Sequence, residues 1–295
     1  MKKSFWIIAA MAGVLFTACE NGDRDFPDFK YSAVYFAYQS PIRTITLGED
    51  PSVDNSLDNE HKCQIMATIA GVYENKKNVE IGIRVDNSLC DGYTFESTKG
   101  DIMPLPTSHY TLSDDKIVIK KGQVLGGVTV NLTDAFFNDP KATELNYVIP
   151  VVMTGVQNAD SILEGKPSVD TPDRVNKEDW EVQSKDYILY AVKYISKYDS
   201  HYLRRGVDTY TGNKTGTEVR HAANVEKDET IGGFSTLGLN KVQWERPTKD
   251  AAGKNVEANL ILTFDESGNC VITSNTEGVE ANGSGKFVAK GDKNS

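Results

Sequence analysis

Residues 114–132 read DDKIVIKKGQVLGGVTVNL. Asp114-Asp115 and Lys121-Gly122 bracket the β-branched run Ile117–Ile119, and Val128, Val130 and Leu132 fall on alternate positions. Period-two apolar spacing between turn residues is the pattern of half-buried strands. Working outward, the same period recurs at Tyr31–Tyr38, Ile42–Leu47, Lys62–Ala70, Val79–Val85, Tyr93–Glu96 and Tyr147–Thr154. No long stretch carries a helical period. Asp134–Ala142 is a short helical excursion, with Asp134 placed to cap it and Pro140 to end it. Short strands in this density predict an all-β chain that opens with a β-sandwich.

The pattern breaks at 157–184, which is rich in Asp, Pro, Ser and Asn and has no apolar period. That composition predicts a linker. A second β pattern opens with the strongly β-prone Tyr187–Ile195. It continues through Thr217–Ala222, Gly232–Leu239, Lys241–Arg246, Glu257–Phe264, Cys270–Ser274 and Gly285–Ala289. Asp265–Asn269 lies between two of these strands. It reads as a hairpin turn, since it lacks the alternating oxygen ligands of a calcium loop. The expected division is a sandwich over 30–156, a linker over 157–184 and a second β domain over 185–295 that stops before its last strands.

The N-terminus suggests a location. Lys2 and Lys3 precede 14 mostly apolar residues, Phe5–Ala18. That run is too short to span a bilayer as a helix and fits the core of a secretion signal. It ends Leu15-Phe16-Thr17-Ala18-Cys19, which resembles a bacterial lipobox, so Cys19 is the expected lipidation site and 1–18 the expected signal peptide. Several acyl chains on one thiol make a stable anchor. The tether 19–29 begins with Glu20, Asp23 and Asp25, an acidic tract that resembles the surface-export signal of Bacteroidetes lipoproteins. The expected location is therefore the outer membrane, lipid-anchored, facing the exterior.

Composition excludes several roles. The chain carries 42 Asp+Glu against 32 Lys+Arg, a formal net charge of −10. A nucleic-acid partner is not expected, because such binding needs a basic face to displace counterions. Four Cys in 295 residues are too few for a disulfide scaffold. If His61–Tyr73 and Asn78–Val85 form a hairpin with their apolar faces together, paired residue numbers must have an even sum. Cys63 and Cys90 sum to an odd number and so would face opposite sides. With Cys270 they are read as three unpaired thiols. No Cys-x-x-Cys pair or Cys/His cluster suggests a metal, and no motif suggests a cofactor.

Larger motifs carry a family resemblance. His109-Tyr110-Thr111-Leu112, Ile117-Val118-Ile119-Lys120-Lys121-Gly122-Gln123, Val128–Thr133 and Tyr147–Val151 resemble, in order, the N-terminal domain of unknown function of many Bacteroidetes surface lipoproteins. That domain also precedes the catalytic domain of some endo-β-N-acetylglucosaminidases. Asp186–Gly206 resembles the opening of the companion C-terminal domain. The resemblance implies an immunoglobulin-like sandwich followed by a lipocalin-like barrel. It also implies an accessory role in glycan uptake beside an outer-membrane transporter.

No catalytic residues are expected: the four His form no HExxH motif and lie beside no nucleophile elbow. Sugar binding uses exposed aromatics beside hydrogen-bonding groups. The candidates are Trp244, flanked by Gln243, Glu245 and Arg246, then Tyr202 and Tyr210, which flank Arg204-Arg205-Gly206 near an expected barrel mouth. Arg204 is a candidate anion ligand. Asp160-Ser161-Ile162 resembles the Bacteroidetes O-glycosylation motif, with Ser161 as acceptor. The function expected is a non-catalytic surface lipoprotein that binds glycans or supports an uptake complex. The alternatives are an adhesin-like protein with a surface protein partner and a divergent glycoside hydrolase.

Overall fold

The computed structural model describes residues 30–50, 52–212, 214–221, 230–231, 234–249 and 252–288. The first thirteen strands, in chain order, are β1 (Ala33–Tyr35), β2 (Ile42–Thr46), β3 (Lys62–Ala70), β4 (Val79–Val85), β5 (Met103–Pro104), β6 (Tyr110–Leu112), β7 (Lys116–Ile119), β8 (Leu125–Leu132), β9 (Tyr147–Gln157), β10 (Ser161–Ile162), β11 (Lys166–Pro167), β12 (Trp180–Val182) and β13 (Tyr187–Ile195). Two one-turn helices interrupt them, α1 (Ser56–Asn59) and α2 (Asp134–Phe137). The chain is all-β, as its short alternating runs predict.

Hydrogen bonding arranges these strands in two layers. β10, β1, β3, β8 and β6 form one, and β7, β4, β9, β13 and β2 form the other, with β5 alongside the start of β9. The layers join where Val118 pairs with Gly127. The β8 side of that seam is glycine for a reason: a Cβ on Gly126 would collide with the Val118 carbonyl and lie 2.8 Å from the Ile119 Cα. The chain switches layers between β1 and β2, and β2 runs parallel to β13.

Alternation decides what the layers enclose. Cys63, Ile65, Ala67 and Ile69 of β3 face Val79, Ile81 and Ile83 of β4 in one buried core. β9 and β13 do not alternate, because both of their faces are covered. Ile149, Val151, Ile188, Tyr190 and Val192 point into the main core. Val148, Val152, Tyr187, Leu189 and Ala191 meet Leu89, Cys90 and Phe95 in a second, smaller one. Strands buried on both sides read as continuous apolar runs.

Three expectations change here. Tyr187–Ile195 does not open the second body. It pairs with β9 over six register partners and with β2 over five, and so closes the sandwich. β3 and β4 are not a hairpin: β3 pairs with β1 and β8, and β4 with β7 and β9. The chain crosses between layers instead, turning at Gly71 (φ 81°), where a Cβ would strike the Tyr31 carbonyl. Cys63 and Cys90 are separated all the same, since one lies in the large core and the other in the small one. Cys63, Cys90 and Cys270 are all free and buried. Finally, 157–184 is folded against the sandwich. β10 runs parallel to β1, β11 pairs with β12, and the Trp180 indole N–H donates to the Asp173 carbonyl at 2.7 Å.

The second body contains β14 (Tyr202–Leu203), β15 (Arg205–Tyr210), β16 (Gly216–His221), β17 (Thr230–Ile231), β18 (Phe234–Gly238), β19 (Lys241–Lys249), β20 (Asn255–Phe264), β21 (Asn269–Ser274) and β22 (Gly283–Lys286). β18 to β22 form an antiparallel meander in sequence order, β15 pairs with β16, and β14 pairs with β17. This is the connectivity from which up-and-down barrels are built. Asp265–Asn269 is the expected hairpin turn, its Asp265 carboxylate accepting the Asn269 N–H at 2.8 Å. The two bodies touch just after β13. The Ser196 N–H donates to Thr236 Oγ1 at 2.9 Å, Thr236 donates through N–H and hydroxyl to Asp199, and Leu239 packs on the sandwich core.

Candidate binding site

The β15–β16 hairpin sets Asp208 opposite Glu218, with Gly206 opposite Arg220 and Tyr210 opposite Gly216. Residues of even number therefore share one face. That face carries Asp208, Glu218 and Arg220, while the other presents Val207 and Val219, 62% and 71% exposed. Asp208 is the hub. Both its carboxylate oxygens accept from the Arg204 guanidinium, at 2.5 and 2.7 Å. Arg220 donates to it at 2.6 Å, and Arg246, arriving from β19, at 3.3 Å. The Tyr210 hydroxyl bridges Asp208 and Glu218, at 3.3 and 3.0 Å, and Arg220 also pairs with Glu218 at 3.2 Å.

An aromatic wall backs these charges. Trp244 and Arg246 are two residues apart on β19 and share a face, and Phe234 is the register partner of Trp244 on β18. Their rings lie 5.7 Å apart and nearly parallel, at 13°. The guanidinium carbons of Arg204 and Arg246 sit 5.7 and 5.5 Å from the Trp244 ring centre, within cation–π range. Tyr202 meets Phe234 edge-on at 4.9 Å and donates its hydroxyl to the Tyr198 carbonyl at 2.9 Å.

The electrostatics follow from this packing. Hydrogen bonding from Arg220, reinforced by the charges of Arg204 and Arg246, holds the Asp208 carboxyl below the usual carboxylate range in spite of partial burial. A carboxylate held in its charged form suits a fixed anchor and not a proton donor. Burial pushes the Tyr202 phenol up, and Asp199 adds to the effect. Among the described side chains, three guanidiniums meet two carboxylates, Asp208 and Glu218, in a chain that is acidic overall. The side chains of Arg204 and Arg220 are 16% and 13% exposed, and Arg246 is the most open of the three at 32%.

All four ligand candidates from the sequence, Tyr202, Arg204, Tyr210 and Trp244, fall in this one cluster. Asp208, Glu218, Arg220 and Phe234 were not singled out there, and Arg246 was named only as a neighbour of Trp244, although the hairpin parity of 208, 218 and 220 carries the signal for three of them. Ser161 lies elsewhere, half-buried on β10, beside an Asp160 carboxylate that accepts from the Ser32 N–H and hydroxyl at 2.7 Å each. Cys19 lies outside the described residues.

Two other features compare poorly with the cluster. Ser108 Oγ is 3.0 Å from His109 Nδ1, and His109 Nε2 is 3.1 Å from Asp139 Oδ2, the connectivity of a hydrolase triad. Asp139, however, also caps the turn 140–143 through the Lys141 N–H and accepts the Tyr147 hydroxyl at 2.6 Å, so the group ties a loop to the sandwich. A shallow concavity along Thr273, Ser274, Val279 and Asn282 has neither an aromatic nor a cation in its lining. Among the described residues, no group of three or more His, Cys, Asp or Glu is placed to hold a metal, and no helix is long and apolar enough to cross a membrane.

Comparison with known proteins identifies the class. A family model described as an N-terminal domain matches residues 29–160, and a domain of unknown function, DUF5627, matches 197–295. The crystal structure of a protein of unknown function from Bacteroides ovatus is 46% identical, with a TM-score of 0.85, over 90% of this chain and 85% of that one. The chain belongs to the family of that protein, and within it joins this N-terminal domain to DUF5627. An auxiliary nutrient binding protein from Bacteroides thetaiotaomicron is 12% identical with a TM-score of 0.39, over 81% of this chain and 70% of that one, too distant to bear on function. No curated protein matches.

Proposed function

We propose that this chain is a non-catalytic surface lipoprotein that binds glycans through its C-terminal body, as an accessory of an outer-membrane polysaccharide-uptake system. The observation that carries the reading is the cluster in which Arg204, Arg220 and Arg246 converge on Asp208 against the Trp244–Phe234 wall. Donors held in a fixed fork and backed by aromatic surface are what a sugar site needs. The meander β18–β22 is read as part of a lipocalin-like barrel whose mouth carries this cluster. The resemblance of the sandwich to surface lipoproteins supports the setting, and the sequence around Cys19 supports the anchor.

A glycan array probed with the full chain, followed by calorimetry on the hits, tests the proposal. Binding to at least one glycan, lost in Trp244→Ala with the fold intact, is the expected result. Absence of glycan binding together with clean co-purification of a protein partner would refute it, and turnover of a glycan would restore the hydrolase alternative. The anchor is tested separately. A clickable palmitate analogue should label the wild-type chain in cells and leave Cys19→Ser unlabelled.

A further inference from the structure

We infer that the cluster around Asp208 recognises the carboxylate of a uronic acid residue in an acidic glycan. The inference rests on the glycan-binding reading above and narrows it. Neutral sugars are gripped mainly by stacking their apolar faces on open aromatic rings. Here the aromatic surface is engaged. Phe234 lies parallel to Trp244, the guanidiniums of Arg204 and Arg246 stand over the indole, Tyr202 meets Phe234 edge-on, and Lys214 sits 3.7 Å from the Tyr210 ring centre. The aromatics seat cations, and the cations form the recognising surface.

Charge and geometry specify the ligand. Among the described side chains the cluster sets three guanidiniums against two carboxylates, and each guanidinium presents five N–H donors in a rigid planar fork. Arg204 holds both Asp208 oxygens through Nη2 alone, at 2.5 and 2.7 Å, which is short of the two-nitrogen fork that a guanidinium can offer. Planar, bidentate capture is matched by a second carboxylate. Arg246 reaches Asp208 with its Nη2 at the long distance of 3.3 Å and is the most open of the three, so its fork is the one a uronate carboxylate would meet. An acidic polymer approaching this chain is repelled by most of its surface. A cationic spot on such a chain fixes where an acidic polymer is held.

The test titrates the full chain calorimetrically with hexasaccharides of galacturonate, mannuronate and hyaluronan, each beside its carboxyl-reduced counterpart, and with neutral cellohexaose and a heparin hexasaccharide. The inference expects at least one uronate hexamer to bind, its carboxyl-reduced form to bind at least tenfold more weakly, and affinity to fall with added salt. Arg246→Gln and Arg246→Lys should each lose about tenfold or more, since the lysine keeps the charge and loses the fork, while both keep the wild-type melting temperature. Equal binding of acid and reduced forms, or binding of cellohexaose alone, would overturn the carboxylate inference and leave the glycan reading standing. Tightest binding to heparin with full affinity retained in Arg246→Lys would replace carboxylate recognition by simple charge attraction. No binding to any hexamer would overturn the inference, and failure across the wider array would remove the parent reading as well.

Discussion

At the residue scale, Asp208 holds together charges that would otherwise repel. Asp208→Ala leaves Arg204, Arg220 and Arg246 facing one another and should cost about 2–3 kcal/mol in urea unfolding, the range for stranding buried polar partners. The lowered carboxyl value also sets a pH dependence. Stability from this group is complete above the ordinary carboxylate value near 4 and is lost as the pH falls through the lower native value. Melting temperatures from pH 6 to pH 3 should therefore fall more steeply for the wild type than for Asp208→Asn. The thiols make a second case. Burial pushes Cys63 and Cys90 up to about 11, and raises Cys270 as well. A buried protonated thiol is inert. A disulfide reagent at pH 8 should leave all three unreacted in the native chain and modify all three in denaturant. The cluster itself was half legible in the sequence. Aromatics and the Arg204-Arg205 pair attracted notice, but the hairpin is inverted: Val207 and Val219 face solvent while Asp208 and Arg220 turn inward. Reading apolar positions as the inner face hides the charged constellation.

At the element scale, β13 is decisive. Its run YILYAV was visible as a strand, but its partners were not, because a strand apolar on both faces has no parity to declare which sheet it joins. The acidic, Pro-containing stretch before it looks like a boundary, whereas the chain there folds back on the sandwich and then adds the strand that completes it. The short alternating strands β3, β7 and β8 were legible for the opposite reason: each has one covered face. A chain cut after residue 184 loses Ile188, Leu189, Tyr190, Val192 and Tyr194, all buried. At about 1.5–3 kcal/mol for each large apolar side chain, the loss rivals the 5–15 kcal/mol that stabilises a whole domain. Circular dichroism should show a chain ending at 184 unfolded and one ending at 196 melting cooperatively. The seam between layers gives a smaller test. Gly126→Val must push the Val118 carbonyl aside and should cost about 2 kcal/mol by denaturant unfolding.

At the scale of the whole molecule, the two bodies are coupled without a flexible spacer. β13 runs through Ser196 into Tyr198, which is buried and stacks on Phe264 at 3.8 Å. Asp199 and Thr236 latch the junction by two hydrogen bonds. Calorimetry should show one transition for the wild type and two for Asp199→Ala, because the latch is the polar part of a small contact. The parallel pairing of β2 with β13 has a mechanical meaning as well. Tension applied at residue 30 and at residue 196 drags these strands in opposite directions along their own axes. The five register partners from Ile42–Ala191 to Thr46–Ile195 then carry the load together in shear, where an antiparallel pair pulled from one end would unzip one rung at a time. Single-molecule pulling between these points should give a sandwich rupture force well above that of the β18–β22 meander, so the body nearer the N-terminus would act as a stiff strut under flow.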